Sequence, residues 1–296
     1  MPNPARSPQF QHAAVLSRSL EGEPMAQTLQ VAAFLGELGL QATPLYMHAV
    51  EVPERVAAGE FDLIIALGGD GTMLRAGHFC APAGIPLLGI NEGNFGFLIE
   101  LERHTWREML PRLLSGEYRL EKRMLIHAEL WREGKQIGAW EALNEAMIGR
   151  GRLARPVHLA ASLDGQPLTT YVADGLIIAT ATGSTAYALA AGGPVLPPEL
   201  RNMVLVPVAA HLSMERAIVL AEGSVIRVEM KRGVEPVLTI DGQQPIEVQL
   251  GDWVELRASS HSLNFLRFKD PGDFYARLLH IMDNNPAAQA TDTETR

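Results

Sequence analysis

The run Phe61-Asp62-Leu63-Ile64-Ile65-Ala66-Leu67 is apolar almost throughout and stops abruptly at Gly68-Gly69-Asp70-Gly71-Thr72. An apolar run without alternation is the pattern of a strand covered on both faces. Such strands belong to parallel sheets flanked by helices, so the chain around this one must alternate strand and helix. It does. Ala13-Ala14-Val15-Leu16 reads as a strand, Pro24 to Leu38 as a helix ending at Gly39, and Gln41 to Met47 as a second strand. Beyond the glycine turn, Thr72 to about Cys80 reads as a helix, Ile85 to Ile90 as a strand, and Trp106 to Leu114 as another helix.

From Arg123 to Phe268 the pattern changes to short alternating runs broken by turn residues, such as Ile126 to Leu130, Val157 to Leu163 and Val225 to Met230. Asp164-Gly165 and Asp241-Gly242 are hairpin signals. One helix, Thr185 to about Ala191, interrupts this portion, and Phe274 to Met282 reads as a short amphipathic helix. The expected fold is an α/β N-terminal domain with a parallel sheet over 1–122 and a β-rich C-terminal domain over 123–270. A helix over 271–283 and a polar tail over 284–296, expected to be disordered, complete the chain.

A net charge of -9 argues against a nucleic-acid partner, which would need a basic face. A small anion is not excluded, because a local nest of backbone N–H groups works whatever the overall charge. The single cysteine, Cys80, excludes a disulfide framework and reads as a buried small hydrophobe. Met1 to Phe10 has no apolar signal region, and no apolar run is long enough to span a bilayer. The expected location is the cytoplasm.

Gly68, Gly69 and Gly71 sit where a strand passes into a helix, and a helix N-terminus offers unpaired N–H donors to a phosphate. Asp70 in the middle of that turn sharpens the reading. A carboxylate there repels an anion unless a cation such as Mg²⁺ intervenes or the carboxylate itself takes a proton from an attacking hydroxyl. The alternative, that Asp70 merely caps the helix beginning near Thr72, weighs equally on the turn alone. The turn is neither a Walker loop nor a full Gly-x-Gly-x-x-Gly.

A second constellation lies in the β-rich portion. Asp174-Gly175 opens the apolar run Leu176 to Ala179, which leads into Thr182-Gly183-Ser184-Thr185-Ala186-Tyr187 and then Gly192-Gly193. Hydroxyls and glycines at a helix start suit a polar ligand, with Tyr187 available to stack on a flat base. The plainer alternative is a capped helix, with Ser184 or Thr185 as N-cap and Tyr187 in the core. Asn144-Glu145 interrupts an apolar stretch; such a pair can hold ribose hydroxyls, although read alone it is more often solvent-facing.

Taken together, the glycine turn, Asn144-Glu145 and Asp174 through Pro194 closely resemble the bacterial NAD kinase family. Gly89-Ile90-Asn91, Gly96-Phe97-Leu98, Glu121 through Leu125, His211, Arg216 through Val219 and Asp241-Gly242-Gln243-Gln244 extend the match over roughly residues 60 to 270. The resemblance implies transfer of the γ-phosphate of ATP to the 2′-hydroxyl of the adenosine ribose of NAD, with Mg²⁺ or another divalent cation accompanying ATP. It implies a final helix returning to the first domain, and a homodimer or homotetramer. Asp70 would be the base, Gly71 would lie against the ligand, and Arg75, one helical turn on, would touch phosphate. Asn144 and Glu145 would hold ribose hydroxyls, and Asp174 the nicotinamide end. Thr182, Thr185, Ala186 and Tyr187 would line the dinucleotide site, Ala209 would touch a base, and Gln244 would close the pocket. No residue is expected to be a dedicated metal ligand.

The chain departs from the family pattern at Val172, Ala181, Ala188, Ala190, Glu92 and Phe95. Ala190 lacks a hydroxyl that would make one polar contact, which bears on substrate preference more than on reaction type. Two rivals remain. A lipid kinase shares the glycine turn but gives no reason for Asn144-Glu145 or the Thr182 to Tyr187 segment. A silent dinucleotide sensor gives no reason for Asp70.

Overall fold

The computed structural model describes residues 10–93, 96–153, 155–211, 214–269, 272 and 274–283; the tail 284–296 and Phe95 lie outside them. The chain divides into two compact units, Met1–Glu121 with Leu263–Arg296, and Lys122–Ser262.

In the first unit the order is β1 (His12–Ser17), α1 (Gly22–Glu37), β2 (Gln41–Tyr46), α2 (Glu51–Ala57), β3 (Leu63–Gly68), α3 (Asp70–Ala83), β4 (Leu87–Asn91) and α4 (Trp106–Leu114). The strands pair in parallel in the order β2-β1-β3-β4. All of β3 is buried, as coverage of both sheet faces requires. One core joins Val15, Ile65 and Leu88 of the sheet to Leu35 of α1 and Trp106 of α4. The helix α2 is unannounced by the sequence pattern, because seven residues carrying a proline are too short to display a period. Pro53 is tolerated in its first turn, where the missing N–H has no helical partner to lose. Cys80 is fully buried and burial pushes its thiol pKa up, so it packs as a small hydrophobe.

β5 (Arg119–Arg132) carries the chain into the second unit. There follow β6 (Lys135–Ala142), β7 (Glu145–Gly149), β8 (Val157–Leu163), β9 (Gln166–Ala173), β10 (Gly175–Thr180), the one-turn helix α5 (Tyr187–Ala190) and β11 (Met203–Val208). β12 (Ile218–Leu220), β13 (Ile226–Arg232), β14 (Val237–Ile240), β15 (Ile246–Glu247) and β16 (Trp253–Arg267) complete it. One sheet runs β16-β13-β8-β9, and an antiparallel sheet runs β12-β11-β10-β7-β14-β15. Asp164 and Gly165 join β8 to β9 with φ of 50° and 78°, the left-handed pair that a two-residue hairpin needs. Along β10 the period of two sends Leu176 and Ile178 into the main core of this unit. Ile177 and Ala179 face the other way, into a cluster with Ala181, Ala188 and Val204.

The helix expected from Thr185 is in fact split: a 3-10 turn, Gly183–Thr185, precedes α5. The final helix, α6 (Phe274–Asp283), groups with the first unit, but the return begins earlier, at Leu263 within β16. Leu263, Phe265 and Leu266 are buried, and Phe265 pairs in parallel with Leu87 of β4.

Candidate active site

The end of β3 and the start of α3 form one wall of a cavity of about 590 Å³. Gly68 to Thr72 and Arg75 line it, with Arg18, Asn91 and Glu92. Gly68 has a φ of 154°, and a β-carbon there would strike the Thr72 side chain, so the turn closes only with glycine. At Gly69 and Gly71 a β-carbon would meet nothing within 4 Å among the described residues. Their bareness serves no internal packing and leaves helix-start backbone open to the cavity, the arrangement that suits a phosphate. Arg75 is exposed on the same wall.

Asp70 does not cap the helix. The helix starts at Asp70 itself, two residues before the expected Thr72, and its N-cap is Gly69 with no side-chain cap bond. The carboxylate turns instead to the segment after β4. Phe97 N–H donates to Oδ2 at 2.8 Å and Leu98 N–H to Oδ1 at 3.0 Å. A β-carbon on Gly96 would collide with that carboxylate. Two charge-assisted bonds therefore fix the plane of a side chain whose terminal torsion is otherwise loose. Arg18 went unnoticed in the sequence, since nothing local ties it to the turn. It pairs with Glu92 at 2.8 Å and brings a cation to the cavity wall.

The second constellation assembles at one end of β7 and β10. Asp241, at a φ of 48°, accepts the N–H groups of Leu143 at 2.8 Å, Asn144 at 2.8 Å and Glu145 at 3.0 Å. Thr180 N–H donates to the Asn144 carbonyl at 2.8 Å, and Gly183 approaches so closely that a β-carbon would overlap the Asn144 backbone. Asn144-Glu145 and the Thr182 to Tyr187 segment thus share one surface, with Gln244 exposed in the turn that Asp241 opens. The sequence marks Asp241 as a turn residue and as part of the family match, but not its grip on three amides. Nothing local signals it, because the partners lie almost a hundred residues away in the chain.

Glu145 is nearly buried, its Oε2 has no hydrogen-bond partner among the described residues, and its pKa is raised from 4.5 to about 7. Burial is the main cause and the Asp241 carboxylate adds to it, while the Tyr187 N–H works against them. Thr182 is buried with its hydroxyl accepting from Arg123 at 3.0 Å, and Thr185 donates to the Thr182 carbonyl at 3.2 Å. Ala186 is half-buried and Ala190 exposed.

The capped-helix alternative fails here. Neither the 3-10 turn nor α5 has a side-chain cap, and Tyr187 is 43% exposed rather than in the core. Ser184, fully buried, donates to the Ala181 carbonyl at 2.7 Å and accepts from Leu196 N–H at 2.9 Å, a bracing role. Ala181 and Ala188 pack in an apolar cluster, which accounts for small residues there without a polar role.

Asp174 and Ala209 lie apart from that surface. Asp174 precedes β10 and Ala209 follows its partner β11, so they flank the opposite end of a strand about 20 Å long. Asp174 Oδ1 pairs with Arg150 at 3.0 Å. Ala209 holds a φ of 47° and is exposed, a strained conformation of the kind found at functional sites.

Residues 16–118 match the family model of the ATP-NAD kinase N-terminal domain, and residues 143–268 that of the ATP-NAD kinase C-terminal domain. The chain belongs to the ATP-NAD kinase family. It is 38% identical over 271 residues to an NAD kinase of Chloroflexus aurantiacus, covering 91% of this chain and 98% of that protein. It is 41% identical over 227 residues to the NAD kinase of Chloroflexus aggregans, covering 77% and 82% of the two chains. Family membership makes it a phosphotransferase with an alcohol acceptor. Among solved structures, yeast NADH kinase complexed with NADH superposes with a TM-score of 0.79 at 22% identity, covering 94% of this chain and 89% of that one. An Archaeoglobus fulgidus NAD kinase in complex with ATP gives 0.74 at 23% identity, covering 91% and 99%. These two likenesses establish the two-domain fold. Among the described residues no helix is long and apolar enough to cross a membrane.

Proposed function

We propose that this kinase transfers the γ-phosphate of ATP to the 2′-hydroxyl of the adenosine ribose of NAD, giving NADP, with Asp70 as the general base. The observation that carries the reading is the Asp70 carboxylate itself, which does not cap its helix and is aimed by two backbone amides beside an open glycine turn. Phosphoryl transfer asks mainly for positioning and charge neutralisation, and an ionised aspartate suffices to accept a late-moving proton. The N–H groups at the start of α3 favour phosphate, with Arg75 and Arg18 adding positive charge on the same cavity.

Asn144 and Glu145 are assigned to ribose hydroxyls; the unpaired Glu145 Oε2 favours this, because a buried carboxyl oxygen lacking a partner is costly unless a ligand supplies one. Thr185, Ala186, Tyr187 and Gln244 are assigned to the same dinucleotide, with Thr182 braced behind them. Asp174 is assigned to the nicotinamide end and Ala209 to a base. Among the described residues no group of three or more His, Cys, Asp or Glu side chains is arranged to hold a metal ion. That donor set fits a cation carried largely by the phosphates and water, with Asp70 and Glu92 the carboxylates on the cavity wall. Such a cation supplies charge neutralisation at the transferring phosphoryl group. A homodimer or homotetramer is the assembly the family favours, read by light scattering on the purified chain.

The test is direct. Purified chain, ATP, Mg²⁺ and NAD should yield NADP, read by an NADP-specific dehydrogenase; no NADP with any divalent metal or phosphoryl donor would end the proposal.

A further inference from the structure

We infer that Arg267 is a positioning residue for Asp70, acting through the backbone of Leu98; the inference rests on Asp70 being the base proposed above. Leu98 is held at both of its polar groups. Its N–H donates to Asp70 Oδ1 at 3.0 Å, and its carbonyl accepts from Arg267 Nη1 at 2.9 Å. Residues 96–98 belong to no helix or strand, so the orientation of the amides that aim Asp70 depends on such tethers.

Arg267 is suited to the task because it is itself immobile. It is 2% exposed, and its planar guanidinium spans two carboxylates. Nε donates to Glu121 Oε1 at 3.1 Å, and Nη1 also lies 3.3 Å from Glu100 Oε2. Glu121 is braced in turn by Arg119 at 3.0 Å. Glu100 Oε1 accepts the N–H groups of Phe268 at 2.8 Å and Lys269 at 3.0 Å. A rigid fork with fixed donor directions holds a carbonyl in place in a way that a flexible ammonium does not. Without that donor the buried Leu98 carbonyl loses its partner and the segment turns to find another, taking its N–H off Asp70. A base displaced by about an ångström costs on the order of 100-fold in turnover.

The experiment uses the full chain as wild type, R267K, R267M and D70N. Steady-state NADP formation gives kcat and KM for NAD and ATP, thermal unfolding gives Tm, and NMR gives amide exchange at Phe97 and Leu98. The expected result is that R267K and R267M stay folded and lose about 10- to 100-fold in kcat, with both KM values within about twofold. Exchange at Phe97 and Leu98 should accelerate in both. A role confined to stability would lower Tm and leave the kcat of the folded fraction intact, and that result overturns the inference. So does unchanged exchange in R267K. Should both variants fail to fold, the wild-type guanidinium decides: slow exchange of the Arg267 Nη1 protons supports the tether to the Leu98 carbonyl, and rapid exchange there removes it. Wild-type turnover persisting in D70N instead strikes the general-base assignment, and the exchange measurements still report on the tether by themselves.

Discussion

Gly96 lies so close to Asp70 that a single added β-carbon would occupy the space of the Asp70 carboxylate. The glycine turn and the segment after β4 are therefore one device. The first supplies the acid, and the second supplies the room and the two amides that orient it.

From that contact, G96A should keep its fold and lose most of its turnover, because relief of the clash must move either the carboxylate or its two donors. A loss of at least tenfold in kcat is expected. A variant with normal kcat would mean that the orientation of Asp70 is unimportant to catalysis.

D70N should abolish most NADP formation and should also be less stable. The amide oxygen replaces one acceptor, but its NH2 faces either the Phe97 or the Leu98 N–H. Leaving one partly buried donor unpaired costs on the order of 1 kcal/mol. Chemical denaturation alongside the NADP assay separates the two effects, and equal stability in wild type and D70N would contradict the hydrogen-bond geometry.

G71A makes the opposite prediction about stability. A β-carbon at Gly71 meets nothing within 4 Å among the described residues, and alanine favours a helix over glycine by roughly 0.5–1 kcal/mol. The variant should melt no lower than wild type, yet show a raised KM for ATP or NAD as the methyl enters the cavity. Unchanged KM values would place the ligand away from this turn.

The raised pKa of Glu145 gives a signed pH effect. Its carboxyl binds protons more tightly when folded, at about 7 against 4.5, so the folded state holds the extra proton between those values. The contribution from this group is full below about 4.5, declines as pH rises to 7 and is absent above it. E145Q should remove that slope from stability measured between pH 4.5 and 7 and be the more stable form at pH 8. If the wild type and E145Q curves run parallel across this window, Glu145 does not titrate there.

D241N should act on substrate rather than chemistry. It weakens the grip on the Leu143, Asn144 and Glu145 amides, so KM for NAD should rise several-fold while KM for ATP changes little. Equal changes in both would show a general loss of structure.

The sequence by itself determined the alternation of the first unit, the β-rich second part and the positions of the turns. Those features rest on local physics: apolar period, burial on both faces of β3, and Asp-Gly pairs that accept left-handed backbone. It also supplied the motif residues, because Asp70, Asn144-Glu145 and Thr182 to Tyr187 are contiguous in the chain. The short helix α2 and the split helix before α5 escaped it, since one or two turns display no period. Only the tertiary structure decided what Asp70 faces, that Asp241 grips the Asn144-Glu145 turn, that Arg267 reaches Leu98, and that Asp174 and Thr185 stand at opposite ends of β10. The partners of Asp70, Asp241 and Arg267 lie tens to more than a hundred residues away in the chain, and a hydrogen bond to any of them exists only after the sheets have formed.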